Sequence, residues 1–194
     1  MKIKSLVFLI LFAGCSYDNC NIKTNESFKQ ITVQNLITDI YSVNNLSSFN
    51  SFLLENKNVL YPFYEVEDTS FLLDKVANAF TLIDNVYFDS LYNDVNTHFE
   101  NPLNLFYPLD NSFTKFNQQS NYKLSPNITI LISGFFNDVI VDKENIVIGL
   151  DYFLPKTNKY KPRDLPSYIL DRYSPEHINS ISLSSYLSQF NLIN

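Results

Sequence analysis

The chain has 194 residues, 45% hydrophobic and 15% aromatic, which excludes a disordered chain and suffices for one domain with a sizeable core. Its formal charge is −6, two units more negative if Lys2 and Lys4 leave with an export signal, and such a surface repels phosphate backbones, so no nucleic-acid partner is expected. Three glycines and no tryptophan, beside abundant Asn, Ile, Phe, Tyr and Lys, point to an AT-rich coding bias rather than to an activity.

The chain begins MKIKSLVFLILFAGC: Lys2 and Lys4, an apolar run over 6–12, then Ala13-Gly14-Cys15. A charged start, a short apolar core and small residues before a boundary make residues 1–14 an export signal, too short to span a bilayer. A cysteine directly after Ala-Gly is the bacterial lipobox pattern, which predicts cleavage before Cys15 and its acylation. Several acyl chains on one cysteine would hold the protein to a lipid bilayer. The alternative is a plain secretory signal with a coincidental cysteine. Residues 15–27 are polar and read as a flexible tether. Cys20 lies within it, without a second thiol or metal-ligand spacing, and takes no role.

A single domain is expected over 28–194, and its pattern turns helical from about residue 28. Leu36, Ile37, Ile40 and Tyr41 recur at helical spacing, as do Leu46, Phe49 and Leu53. VLYPFYE should break the helix at Pro62. Two amphipathic helices follow, one through Phe71, Leu72, Val76 and Phe80, the other through Phe88, Leu91, Tyr92, Val95 and Phe99. Pro102 ends the second, and Leu109, Phe113 and Phe116 outline a further helix starting near Pro108.

After Pro126 the texture becomes β-branched. NITILISG, DVIVD and NIVIGLD follow one another closely, which predicts a small antiparallel sheet over about 127–151 with a turn at Lys143-Glu144. The segment 155–173 is punctuated by prolines and carries Arg163, Asp164 and Arg172. Ser174-Pro175-Glu176 is a helix-start signal, and a C-terminal helix follows with Ile178, Ile181 and Tyr186 on one side. The fold class is α+β: a helical N-terminal part, a small sheet, then a helix.

Chemistry is hard to find. The two histidines, His98 and His177, stand far apart without H-E-x-x-H, and each reads as a surface residue at a helix end rather than a ligand. There is no G-x-S-x-G elbow and no phosphate loop. Glu65 and Glu67 read as solvated; Asp138 and Asp142 bracket a strand and stand about 13 Å apart if it is extended, beyond the roughly 5–9.5 Å used by paired-carboxylate glycosidases. No catalytic residue, metal or cofactor is expected. Gly149 and Asp151 read as shape: Gly149 for a bulge or a close backbone approach, Asp151 for hydrogen bonds to nearby backbone as the chain turns toward Pro155.

Several of these stretches resemble the gliding-motility lipoproteins of Bacteroidota, the GldB-like family. The resemblance is carried by Ser133-Gly134-Phe135, Ile148-Gly149-Leu150-Asp151, Leu154, Tyr160, Pro166-Ser167-Tyr168-Ile169 and the segment 175–178, with Tyr61-Pro62-Phe63-Tyr64 upstream. It implies a non-enzymatic cell-envelope lipoprotein, facing the periplasm, that supports gliding motility or type IX secretion through contacts with other envelope proteins. It also implies a zincin-like fold without its metal motif, in which Asp151 is no metal ligand. The family pattern continues with a further helical region where this chain ends, so a short form is implied. The alternatives are a zincin-like metal-dependent hydrolase and a degenerate relic without activity. Tyr152, Tyr160, Arg163, Tyr168 and Arg172 are candidates for the partner surface, being of types enriched at interfaces; the competing reading is that the tyrosines cover the end of the sheet.

Overall fold

A computed structural model describes residues 28–66, 72–162 and 165–192. The leader, Cys15, the tether, Glu67, Phe71, Arg163 and Asp164 lie outside them. The described residues form a mixed α+β fold, as expected.

Strand β1, Thr32–Asn35, opens the domain, followed by α1 (Ile37–Tyr41), α2 (Leu46–Glu55) and α3 (Lys57–Phe63). A capping box starts α2: Ser48 N–H donates to Asn45 Oδ1 at 2.9 Å, and Asn45 N–H donates to Ser48 Oγ at 3.2 Å. Its buried face is Phe49, Phe52 and Leu53. The break expected at Pro62 falls one residue later, because α3 runs through Phe63. Pro62 forfeits a backbone bond and its ring crowds the preceding turn, and the helix ends one residue on. The exit is a Schellman turn: Val66 N–H reaches Tyr61 O at 2.8 Å and Glu65 N–H reaches Pro62 O at 3.3 Å, with Glu65 at φ +52°.

Helix α4 (Leu72–Ile83) buries Val76, Ala79 and Ile83 with Phe80 half-buried beside them, and α5 (Phe88–His98) buries Phe88, Leu91 and Val95 with Tyr92 half-buried. A 3₁₀ turn, Pro102–Phe106, leads into α6 (Tyr107–Gln119), whose second residue, Pro108, sits where its missing N–H is harmless. Then come β2 (Asn127–Leu131), β3 (Val139–Val141), β4 (Asn145–Gly149), the short α7 (Ser167–Leu170) and α8 (Ile178–Ser188). Ser174 stands at the expected start of the last helical segment.

The sheet differs from the expected antiparallel meander. Its order is β1-β2-β4-β3, with β1, β2 and β4 parallel and β3 alone antiparallel. Residues 132–144 supply the dozen or so residues that a parallel return requires. They carry the chain past β2's neighbour position to the outer edge, where β3 forms, and β4 then inserts between β3 and β2. Both inner strands are buried on both faces, the pattern of parallel strands covered on two sides. α6 packs with α8, and α2 packs with α3 and α4; β4 is touched by α8 from the first group and α3 from the second.

Residues 32–35 were expected to be helical and are an edge strand. Ile31-Thr32-Val33 is β-branched, but its partner strand lies 95 positions on, as Thr32 Oγ1 to Asn127 Oδ1 illustrates, so no local pattern reveals the pairing.

Candidate functional site

β2 and β4 end side by side, Leu131 opposite Gly149, and the loops leaving them meet. This is the carboxyl end of the parallel strands, where such sheets gather their ligands. Gly149 allows the meeting. A Cβ on it would stand 2.4 Å from Asn137 O and 2.9 Å from Ser133 Oγ. The strand keeps its register and its φ is ordinary, so of the two readings the close approach holds and the bulge does not.

Asp151 lies in the 3₁₀ turn Leu150–Phe153, 1% exposed. Ser133 N–H donates to its Oδ1 at 2.8 Å, and Ser133 Oγ–H and Phe135 N–H donate to its Oδ2 at 3.0 and 2.6 Å. Ser133 Oγ in turn accepts from Phe136 N–H at 3.2 Å. Burial pushes the Asp151 carboxyl above the usual carboxylate range, while the bonds from Ser133 and Phe135 pull it back.

The loop so gripped is strained. Gly134 has φ +68° and Phe135, which has a side chain to accommodate, φ +61°. A Cβ on Gly134 would stand 2.9 Å from both Leu82 Cβ and Leu82 O. The Tyr152 hydroxyl donates to Phe135 O at 2.7 Å, and the two rings meet edge to face at 5.6 Å. Next to them the Tyr173 hydroxyl donates to Asp138 Oδ2 at 2.6 Å. Burial raises both phenols well above their ordinary value, so neither is poised to ionise near neutrality. Tyr64 is raised in the same direction, first by burial and then by Asp151, and its hydroxyl has no hydrogen-bond partner among the described residues.

An open groove of about 750 Å³ runs past this loop. One wall is the end of α4 and its turn into α5, with Leu82, Asn85 and Tyr87; the other is residues 159–161; Gly134 and Phe135 lie between. A second groove, about 540 Å³, follows the free edge of β1 at the other end of the sheet and is lined mainly by Asn, Thr and Val with Glu55 and Lys57.

The structure divides the proposed partner residues. Tyr152 and Tyr160 are half-buried at the end of the sheet, Tyr160 lining the larger groove. Tyr168, 70% exposed, and Arg172 point to solvent, and Arg163 lies outside the described residues. His98 is exposed, with Nδ1 2.8 Å from Asp94 O, and His177 is exposed, with Nδ1 2.8 Å from Ser174 Oγ. Among the described residues no three of His, Cys, Asp and Glu converge as metal ligands would. Asp138 and Asp142 serve separate ends of β3; Asp142 Oδ1 accepts from Glu144 and Asn145 N–H, each at 2.7 Å.

Sequence reasoning missed Ser133 as the partner of Asp151, although Ser-Gly after an apolar strand is a loop signal. It also passed over Tyr87, Lys159 and Lys161; the lysines flanking Tyr160 were a visible charge pattern in an acidic chain.

These features define an α+β domain with a mixed sheet, in which a buried carboxylate fixes the loop at the strands' carboxyl ends. A family model described as gliding motility protein GldB matches residues 18–192, and the chain belongs to that family. The Ser-Gly-Phe and Gly-Leu-Asp segments that carried the resemblance are the two halves of the Asp151 site. No curated protein and no solved structure matches the chain, and the zincin-like part of the expected architecture rests on the family resemblance alone.

Proposed function

We propose that the protein is a non-enzymatic lipoprotein of the cell envelope, held by acylated Cys15 and facing the periplasm, that supports gliding motility and the linked type IX secretion machinery through protein contacts. Family membership over 18–192 carries the reading. The chemistry of the site supports it: Asp151, Asp138 and Ser133 spend their polar atoms on backbone, on the Ser133–Asp151 bond itself and on Tyr173, holding shape instead of facing a cleft. The lipobox sequence supports the anchor.

Deletion followed by complementation tests this, scoring motility, secretion and viability. Wild-type chain should restore what deletion removes, and Cys15→Ala should not. Full rescue by Cys15→Ala would overturn the lipid anchor. Stoichiometric zinc on the purified protein, lost on substituting His98 or His177, would overturn the non-enzymatic reading.

A further inference from the structure

The turn from α4 to α5 shows two apolar side chains to solvent on a backbone that is held. Tyr87 N–H donates to Asn85 Oδ1 at 2.9 Å and Phe88 N–H to Asn85 O at 3.0 Å, while Asn85 Nδ2 returns to Leu82 O. Yet Val86 is 81% and Tyr87 59% exposed. An aromatic side chain on an ordered turn loses little entropy when a partner covers it.

Across the larger groove the Tyr160 ring lies 6.0 Å from that of Tyr87, with Lys159 Nζ 4.6 Å from the Tyr160 centroid. Lys161 lines the same wall, its Nζ donating to Lys156 O. Among the described residues neither Lys159 nor Lys161 has a carboxylate at ion-pair distance, whereas Lys156 pairs with Asp171 at 2.8 Å. Asp94, whose field reaches Lys159, is engaged by Asn158 Nδ2 at 2.9 Å. Asp84 and Asp89 flank the α4–α5 turn, but among the described residues the charged ones lining the groove are the two lysines. In a chain of formal charge −6, this wall places two cations on one rim of the groove.

We propose that this groove docks an extended acidic segment of a partner protein, its carboxylates on Lys159 and Lys161 and an apolar side chain between Tyr87, Leu82 and Phe135. The proposal rests on protein contacts being how the chain works, and it names the chemistry of the contact. A walled groove with an apolar floor and cations on one rim suits a peptide better than a flat bilayer surface, which would meet the charges without filling the groove.

The test uses the full-length chain in nanodiscs of uncharged lipid, with a fluorescein-labelled peptide of alternating glutamate and leucine followed by anisotropy. Binding should be saturable, salt-sensitive and absent for the glutamine counterpart. Lys159→Glu with Lys161→Glu should weaken it about tenfold, the scale of two surface ion pairs lost and turned repulsive. Tyr87→Ala should weaken it as well, and Lys115→Glu on the exposed face of α6 should not. Equal binding by the charge-reversed chain, or no preference for the acidic peptide, overturns the proposal. So does a chain that ignores the peptide and binds phosphatidylglycerol vesicles through the same lysines. Complementation separates the two levels. A charge-reversed chain that restores motility in full overturns the docking groove and leaves the lipoprotein reading intact; a deletion without any envelope phenotype overturns that reading whatever the peptide does.

Discussion

The two ends of the sheet are built with the same device and finished differently. At the amino end, Asp110 of α6 gathers the chain before β1: Gln30 N–H reaches its Oδ1 at 2.7 Å, and the Lys29 and Ile31 amides reach the carboxylate at 3.1 Å. Two helical turns on, Asn117 receives Leu124 N–H at 2.8 Å and donates to Leu124 O and Gln30 Oε1, fixing the entry to β2. At the carboxyl end, Asp151 gathers Ser133 and Phe135. The amino end has no left-handed residue in the gathered segments, whereas the carboxyl end bends through Gly134 and Phe135 and exposes apolar and cationic side chains beside them. One buried carboxylate serves entry to the fold. The other holds a strained loop in place beside a groove, which is where strain is useful.

The sharpest way to break this comparison is to remove each carboxylate. Asp151→Ala leaves three buried or half-buried donors without an acceptor and should cost about 3 to 5 kcal/mol, read as a lower urea midpoint at unchanged slope. Gly149→Ala should be comparably damaging, since a Cβ 2.4 Å from Asn137 O must push backbone aside. Asp110→Ala should cost less, about 2 to 3 kcal/mol, because water can reach the amide of the exposed Lys29 and partly that of Gln30. Hydrogen exchange should localise each effect: the amides of 29–31 lose protection in one variant, those of 133 and 135 in the other. Equal costs would mean that strain and burial add nothing at the carboxyl end.

A smaller change of opposite sign tests backbone strain away from both ends. Glu65 occupies the left-handed position that closes α3, and its carbonyl accepts from Lys75 Nζ at 2.9 Å, a bond that a glycine would keep. Glu65→Gly should therefore stabilise the chain by about 1 kcal/mol, seen as a higher melting temperature. A loss would show that the glutamate side chain contributes more than its conformation costs.

The longer helices were legible because each buries a face at a spacing that its own residues display, whereas α7, Ser167–Leu170, buries none of its residues and was not. Phe49 and Leu53, or Leu91 and Val95, need no distant partner to be recognised. The sheet was legible as strands but not as pairings. NITIL and NIVIG look alike whichever way they pair, and the parallel register depends on residues 132–144 going round the outside. β1 was illegible because four residues, TVQN, become a strand only by meeting residues 127–130. In the site, Asp151 and Gly149 were visible because an aspartate and a scarce glycine interrupt an apolar run, and both serve shape. Ser133 and Asp110 were not, since a hydrogen bond across 18 or 79 positions leaves no periodic trace.

The smallest effect completes the series, because a third aspartate has a strong partner and no burial. Asp171 accepts from Lys156 Nζ at 2.8 Å, with side chains 66% and 57% exposed. The Lys156 ammonium holds the Asp171 carboxyl below its ordinary range. A folded value below the unfolded one adds stability above the unfolded value, and that stability is lost as pH falls through the folded value. Solvent screening reduces it to little, since exposed pairs gain modest Coulomb energy and lose side-chain freedom. Asp171→Asn should therefore melt with the wild type at neutral pH, and the two melting curves should stay superimposed as pH falls through the carboxylate range. Asp151→Asn, which sets an amide NH₂ against the donors that meet Asp151, should lower the melting temperature clearly. If Asp171→Asn fell as far as Asp151→Asn, the partner rather than burial would set the worth of these carboxylates, and the contrast between exposed and buried aspartates would collapse.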